Sequence, residues 1–383
     1  MKAVDYYYTD ARCHLPPVGI IGRLLRKALA ATLVGGWLLT ILSVSAADLT
    51  LTGENDVPAR LAQGPDGRLY VTDPVAGSVF IYDETLAPIG EIHGVDRPLG
   101  IAVNSQNRIF VGSASAKHIK MFSAEGDLMG VFAEGQVDMP NDMALDLDEN
   151  LYVVDSRLNH IAVFDSGFAL VRTIGTGGTG DGQLNFPSSV TVAYRLDGFS
   201  QPTGEVFVAD QGNFRIQVYD MNGNFLRKMG AQAYKSGMSN PFTWQGYFNT
   251  VQSLQVDDLY RIHAADSFMN KVQVLNSQTG AYSNSYGNAF GVYGSGSGTL
   301  YLPLDIHIAP TGLVVVANSG MDRIEGLYTN PQTRVLLSNT VVPEGAPTQT
   351  VVGVLSTAPP ASNLFMLVSG HGADDNAHVS IVG

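Results

Sequence analysis

"VADQGNFRIQVYD", residues 208–220, sets Asp210 five positions ahead of Arg215, with an apolar run on either side. An acid and a base so spaced are either a catalytic couple or a staple that holds a turn. The rest of the chain decides, because the phrase returns as "VTDPVAGSVFIY", "VGSASAKHIKMF", "VVDSRLNHIAVF", "AADSFMNKVQVL" and "VANSGMDRIEGL". The six anchors are Asp73, Ser113, Asp155, Asp210, Asp266 and Asn318, and an apolar residue closes each phrase nine positions later. Five copies carry a base at the fifth position, namely His118, His160, Arg215, Lys271 and Arg323, while the first has Ser78.

Fifteen residues before the anchor stands Pro58, Pro98, Pro140 or Pro303, with Val251 in that place in the fifth copy. In the fourth copy "YRLDGFSQPTGE" is inserted, and Pro187 lies 23 residues ahead. Between proline and anchor come two short β runs parted by a turn, as in "MALDLDENLYVVD". Each unit therefore reads strand, turn, strand, short turn, strand, then a fourth run such as "LVRTIG". A period of about 40 residues belongs to four-stranded propeller blades.

This pattern resembles the NHL repeats of six-bladed β-propellers, most clearly in "VADQGNFRIQVYDMNGNFLRKMG" and the linker "GTGGTGDGQLNFPSSV", over residues 50–330. The expected fold is all-β: a leader over 1–47, a six-bladed propeller over 48–333 and, over 334–383, a short incomplete sandwich-like segment. Six reactive sites at six equivalent corners would be a strange enzyme. Asp73, Asp155, Asp210, Arg215, Asp266, Lys271, Asn318 and Arg323 are accordingly read as structural, the acid accepting turn N–H groups and the base reaching across to it. The sixth unit lacks a fourth strand, and the alternating "DLTLTG" at 48–53 is expected to supply it and close the ring.

Composition fits this reading. Hydrophobic residues are 45% and charged ones 15%, with 42 glycines, which favours turn-rich β structure over disorder. The net charge is −13; five basic and two acidic residues precede position 48, leaving 17 and 33 beyond it, or −16. Such a surface repels phosphate backbones and anionic lipid, so nucleic acid is not an expected partner. "RLLRKALAATLVGGWLLTILSVSAAD" runs from Arg23, Arg26 and Lys27 through an apolar stretch to Ala46 and Ala47, the order of a secretory signal cleaved after Ala47. If uncleaved it would be an anchor, since about 20 apolar residues span a bilayer. The expected location is secreted, periplasmic or cell-surface. Cys13, the one cysteine, lies in this leader, so a mature chain would hold together without disulfides and would have no thiol chemistry.

The tail, with "VVPEGAPTQTVVGVLSTAPP", is similar to the opening of a cadherin-like repeat. That likeness places Glu344, Asp374 and Asp375 at possible calcium positions, with a solvated polar turn as the alternative. No Walker lysine, H-E-x-x-H or G-x-S-x-G element is present, and "GTGGTGDG" reads as a linker because it opens no helix. The propeller resemblance raises enzymes as well. Amidating lyases place metal-binding histidines just after the proline, where this chain has none; gluconolactonase-like propellers use carboxylates and asparagines, which leaves a calcium-dependent hydrolase or lyase at a channel mouth formed by Arg60, Asn141, Asp142, Ser189 and Asp305.

The favoured reading is a non-enzymatic scaffold that binds protein or glycan through the loops between blades. "YKSGMSNPFTWQGYF" and "AYSNSYGNAFGVYGSGSG" bring together Tyr234, Phe242, Trp244, Tyr247, Tyr286 and Tyr293, aromatics among Ser, Gly and Asn that suit recognition or sugar stacking. The alternative is that they tuck inward and pin long loops. His118, His160, His263 and His307 sit in repeat or strand positions and read as structural.

Overall fold

A computed structural model describes residues 48–50, 57–195, 203–233, 244–287, 299–309 and 313–328, with two further short strands, Arg334–Leu337 and Leu355–Ala358. Six four-stranded antiparallel sheets form the blades. Blade 1 holds Arg60–Gln63, Leu69–Asp73, Ser78–Tyr82 and Pro88–His93, and blade 2 holds Pro98–Val103, Ile109–Ser113, His118–Phe122 and Leu128–Phe132. Blade 3 holds Pro140–Leu145, Leu151–Asp155, His160–Phe164 and Leu170–Ile174, and blade 4 holds Ser189–Arg195, Thr203–Asp210, Arg215–Asp220 and Phe225–Met229. Blade 5 holds Val251–Val256, Arg261–Asp266, Lys271–Asn276 and Tyr282–Gly287. Blade 6 holds Pro303–Ile308, Leu313–Asn318 and Arg323–Tyr328.

The first strands of successive blades neighbour one another, and those of blades 6 and 1 meet, so the first strands surround a single axis. Ring closure takes the expected form. The strand Asp48–Thr50 pairs antiparallel with blade 6, Asp48 opposite Glu325, Leu49 opposite Ile324 and Thr50 opposite Arg323. A strand from the other end of the chain thereby covers part of an edge that would otherwise be open.

The core is six layers between blades. Tyr70, Val79 and Ile81 of blade 1 pack on Ile109, Val111 and Phe122 of blade 2, and the last layer sets Leu61, Val71 and Tyr82 against Val315, Ala317 and Ile324 of blade 6. Second strands such as Leu151–Asp155 are buried along their whole length because both faces meet a neighbour, whereas the fourth strand Pro88–His93 buries only Ile92. The insertion of the fourth copy lengthens the first hairpin of blade 4 as far as the pair Arg195 and Thr203. The glycine-rich linker "GTGGTGDGQL" opens no helix; Thr176–Gly177 and Gln183–Leu184 pair in parallel within it.

The turn after each anchor has one recurring backbone requirement. Its fourth residue, Gly77, Lys117, Asn159, Phe214, Asn270 or Asp322, is left-handed, with φ between 50° and 69°. Glycine and Asn adopt this at little cost, while Lys117 and Phe214 pay about 1 kcal/mol for it. The leader, Glu344, Asp374 and Asp375 lie outside the described residues, as does most of the tail, of which Arg334–Leu337 pairs antiparallel with Leu355–Ala358. Among the described residues no helix is long and apolar enough to cross a membrane.

Candidate functional site

Antiparallel order places the linkers between blades and the turns between second and third strands at one end of the ring, here the linker face. The anchors organise that face. Asp210 Oδ2 accepts from Arg215 Nε at 2.7 Å and from Gln217 Nε2 at 3.0 Å, and its Oδ1 accepts Asn185 N at 2.7 Å. Arg215 Nη2 then reaches the carbonyls of Gly180 and Gln183, at 2.7 and 2.9 Å, and pins the glycine linker. Asp73, Asp155 and Asp266 likewise accept N–H groups both from the turn that follows and from the loop entering the blade, such as Val75 and Val57 on Asp73. Asn318 Oδ1 accepts Tyr301 N at 2.7 Å. In blade 4 the base of the repeat forms an ion pair across the turn. In blade 6 Arg323 pairs with Glu325 at 2.7 Å, and in blade 5 burial lowers the pKa of Lys271 against the pull of Asp266.

The five channel residues converge on the axis, and all are buried. Arg60, only 2% exposed, extends from blade 1 across the ring. Its Nε donates to Asn141 O at 2.9 Å, its Nη1 to Gln252 O at 3.1 Å and Leu304 O at 3.0 Å, and its Nη2 to Ser188 O at 2.6 Å. Asp305 Oδ1 is 3.5 Å from Nη1, and Asn141 Oδ1 is 3.3 Å from Nη2. These groups form a plug, not an open mouth.

The remaining oxygens are latches between successive blades. Asp142 Oδ2 accepts Val190 N at 3.0 Å, Ser189 Oγ accepts Leu254 N at 3.2 Å, and Asp305 Oδ2 accepts Leu61 N at 2.6 Å. Ser253 donates from Oγ to Asp305 Oδ1. Burial raises the Asp142 carboxyl and, with the nearby Asp142 charge, carries Asp305 up to about 7 despite the opposing pull of Arg60. Calcium seeks six to eight oxygens in an anionic cage. Here a guanidinium already occupies the converging carbonyls, so the residue set does not fit a calcium ion at the axis.

Of the aromatic loop residues, Tyr234, Phe242 and Tyr293 lie outside the described residues. Trp244 and Tyr247 are half-buried in the linker before blade 5, where the Tyr247 carbonyl accepts Gln273 Nε2 at 2.8 Å, and their neighbour Phe248 is fully buried. The Tyr286 hydroxyl meets Nδ1 of His263, whose Nε2 lies 3.0 Å from Asp257 Oδ2. Burial opposes the Asp257 charge, but hydrogen bonds from His263 and Arg261 prevail and bring the carboxyl down to about 2. Tyr286 thus braces blade 5 internally, and Phe248 packs in the layer between blades 4 and 5. The sequence reading missed the apolar groups that are open on this face: Val75, Leu158 and Phe268 in second turns, and Phe186 in a linker, at 61, 44, 62 and 44% exposure. A hydrophobic residue within a turn of otherwise small and polar types was the available signal.

At the opposite face, acids close turns. Asp83, Asp146, Asp165 and Asp220 each accept the N–H groups two and four residues on, at 2.8–2.9 Å.

Fold and site together define a six-bladed β-propeller with an axis plugged by side chains and a linker face carrying exposed apolar groups. No family model matches the chain. It is similar to NHL repeat-containing protein 3 of Homo sapiens, 30% identical over 165 residues that cover 39% of this chain and 45% of that protein. It is also similar to Protein brain tumor of Drosophila melanogaster, 27% identical over 162 residues, 40% of this chain and 14% of that protein. The chain therefore spans under half the length of these two relatives. Among solved structures, a gluconolactonase from Xanthomonas campestris superposes with a TM-score of 0.53 at 15% identity, covering 73% of this chain and 89% of that one. Virginiamycin B lyase from Staphylococcus aureus, solved with quinupristin, gives 0.51 at 13%, covering 75% and 86%. At such identities the likeness shows the fold alone.

Proposed function

We propose that this protein is an exported, non-enzymatic recognition scaffold that binds a protein partner through its linker face. The observation that carries this reading is that Val75, Leu158, Phe186 and Phe268, exposed and apolar, all stand in loops at one end of the ring. Exposed apolar groups on an otherwise polar surface are the usual anchors of binding. The hydrogen bonds Phe186 N to Asn159 Oδ1 at 2.6 Å and Leu302 N to Asn270 Oδ1 at 2.9 Å tie the linkers entering blades 4 and 6 to the preceding blade, so Phe186 is presented with little ordering cost. Similarity to NHL-repeat proteins supports a scaffold, and the ordering of charge and apolar residues in the leader supports export. Hydrolase chemistry at the axis is disfavoured because the candidate carboxylates are spent on backbone N–H groups.

The test uses the full chain with Leu158→Asp and Phe268→Asp combined, set against Leu147→Asp and Leu259→Asp on the opposite face. Cross-linking at the surface of producing cells should lose its specific adducts with the first pair and keep them with the second. Equal retention by both pairs, or a lactonase or lyase activity abolished by Asp142→Ala, would refute the proposal.

A further inference from the structure

The carbonyls that receive Arg60 share one repeat position. Asn141, Ser188, Gln252 and Leu304 each follow the proline equivalent of blades 3, 4, 5 and 6, so near-symmetry of the repeat aims the same backbone oxygen at the axis from each. Converging carbonyls repel one another, and with those of Asn141 and Ser188 buried and those of Gln252 and Leu304 partly so, the arrangement favours a donor or a cation at its centre. Asp305 Oδ1 and Asn141 Oδ1 add acceptors to the same group. The equivalent positions in the other blades supply no base: Arg60 answers to Gly100, Asp142, Ser189, Ser253 and Asp305. One blade has therefore surrendered its place in the symmetric ring to fill it.

We infer that the repeat builds a cation site on the propeller axis, selective for a planar guanidinium, and that Arg60 is its resident ligand, held by the chain itself. The fork matches the site: donors on Nε, Nη1 and Nη2 spread in one plane toward acceptors on four blades, a pattern that neither an ammonium nor a spherical metal ion reproduces. The inference stands apart from the proposed partner surface, which lies on the loops.

The test is chemical rescue. Arg60→Ala should lower the thermal midpoint by about 10 °C, since a group bonded to four blades is removed and its acceptors are left bare. Guanidinium chloride at ~20 mM, far below the molar range in which it denatures, should restore several degrees to this variant and lower the wild type slightly. Equal sodium chloride or calcium chloride should restore nothing. Arg60→Lys, which fills the site with a point charge, should be of intermediate stability and should not respond. If Arg60→Ala does not fold in plain buffer, refolding from urea with and without guanidinium reads the same site, folded protein being recovered only with it. Loss of stability without guanidinium rescue in both formats, or rescue by calcium alone, overturns the inference.

Discussion

Arg215 and Asp210 face each other across the first rung of a hairpin, and the guanidinium Nε donates to the carboxylate at 2.7 Å with both side chains buried. The pair that resembles a catalytic couple is a rivet between a turn and the linker beneath it. Asp210→Ala would leave Arg215 charged and buried without its partner, a defect that costs about 3 kcal/mol. Urea unfolding should show a loss of that size.

Stability should depend on pH through two groups of opposite sign. Burial lowers His307 to about 4, below its ordinary 6.5, so its contribution is complete above about pH 6.5 and is lost as pH falls toward 4. Because the ring keeps some solvent contact, that loss is on the order of 2 kcal/mol. Asp305, raised to about 7, binds a proton more tightly when folded and so contributes stability that declines as pH rises from about 4 to 7. Unfolding midpoints from pH 4 to 8 should fall less steeply toward acid in His307→Gln than in wild type, and more steeply in Asp305→Asn.

Deleting residues 48–53 should open the ring. The third strand of blade 6, Arg323–Tyr328, would lose its pairing with Asp48–Thr50 and present a bare edge. Differential scanning calorimetry should record a lower midpoint, and size-exclusion chromatography should show larger species that the intact chain does not form.

Gly100 is fixed by space. A Cβ there would lie 2.9–3.0 Å from the backbone N, Cα and C of Asp142, atoms that move only if two blades separate. Gly100→Ala should cost about 1–3 kcal/mol, as overpacked cores do, and denaturant titration at neutral pH measures it.

Local chemistry made much of the protein legible from its sequence. The anchor and the closing apolar residue nine positions on act within a single hairpin, and their recurrence at Asp73, Ser113, Asp155, Asp210, Asp266 and Asn318 announced six sheets, just as "DLTLTG" announced how the last is completed. What Arg60 does was decided only in three dimensions. Its acceptors stand up to 245 positions away; the repeat spacing gives them one equivalent position, but only closure of the ring brings them within reach of one guanidinium. The same holds for Tyr286, which looked like a contact residue in its loop and is spent on His263 two strands away, and for Val75 and Phe268, which are aligned on one face by the identical orientation of every blade. Residue types and short intervals fix turns and strands, while which side chains share a place depends on closure of the whole circle.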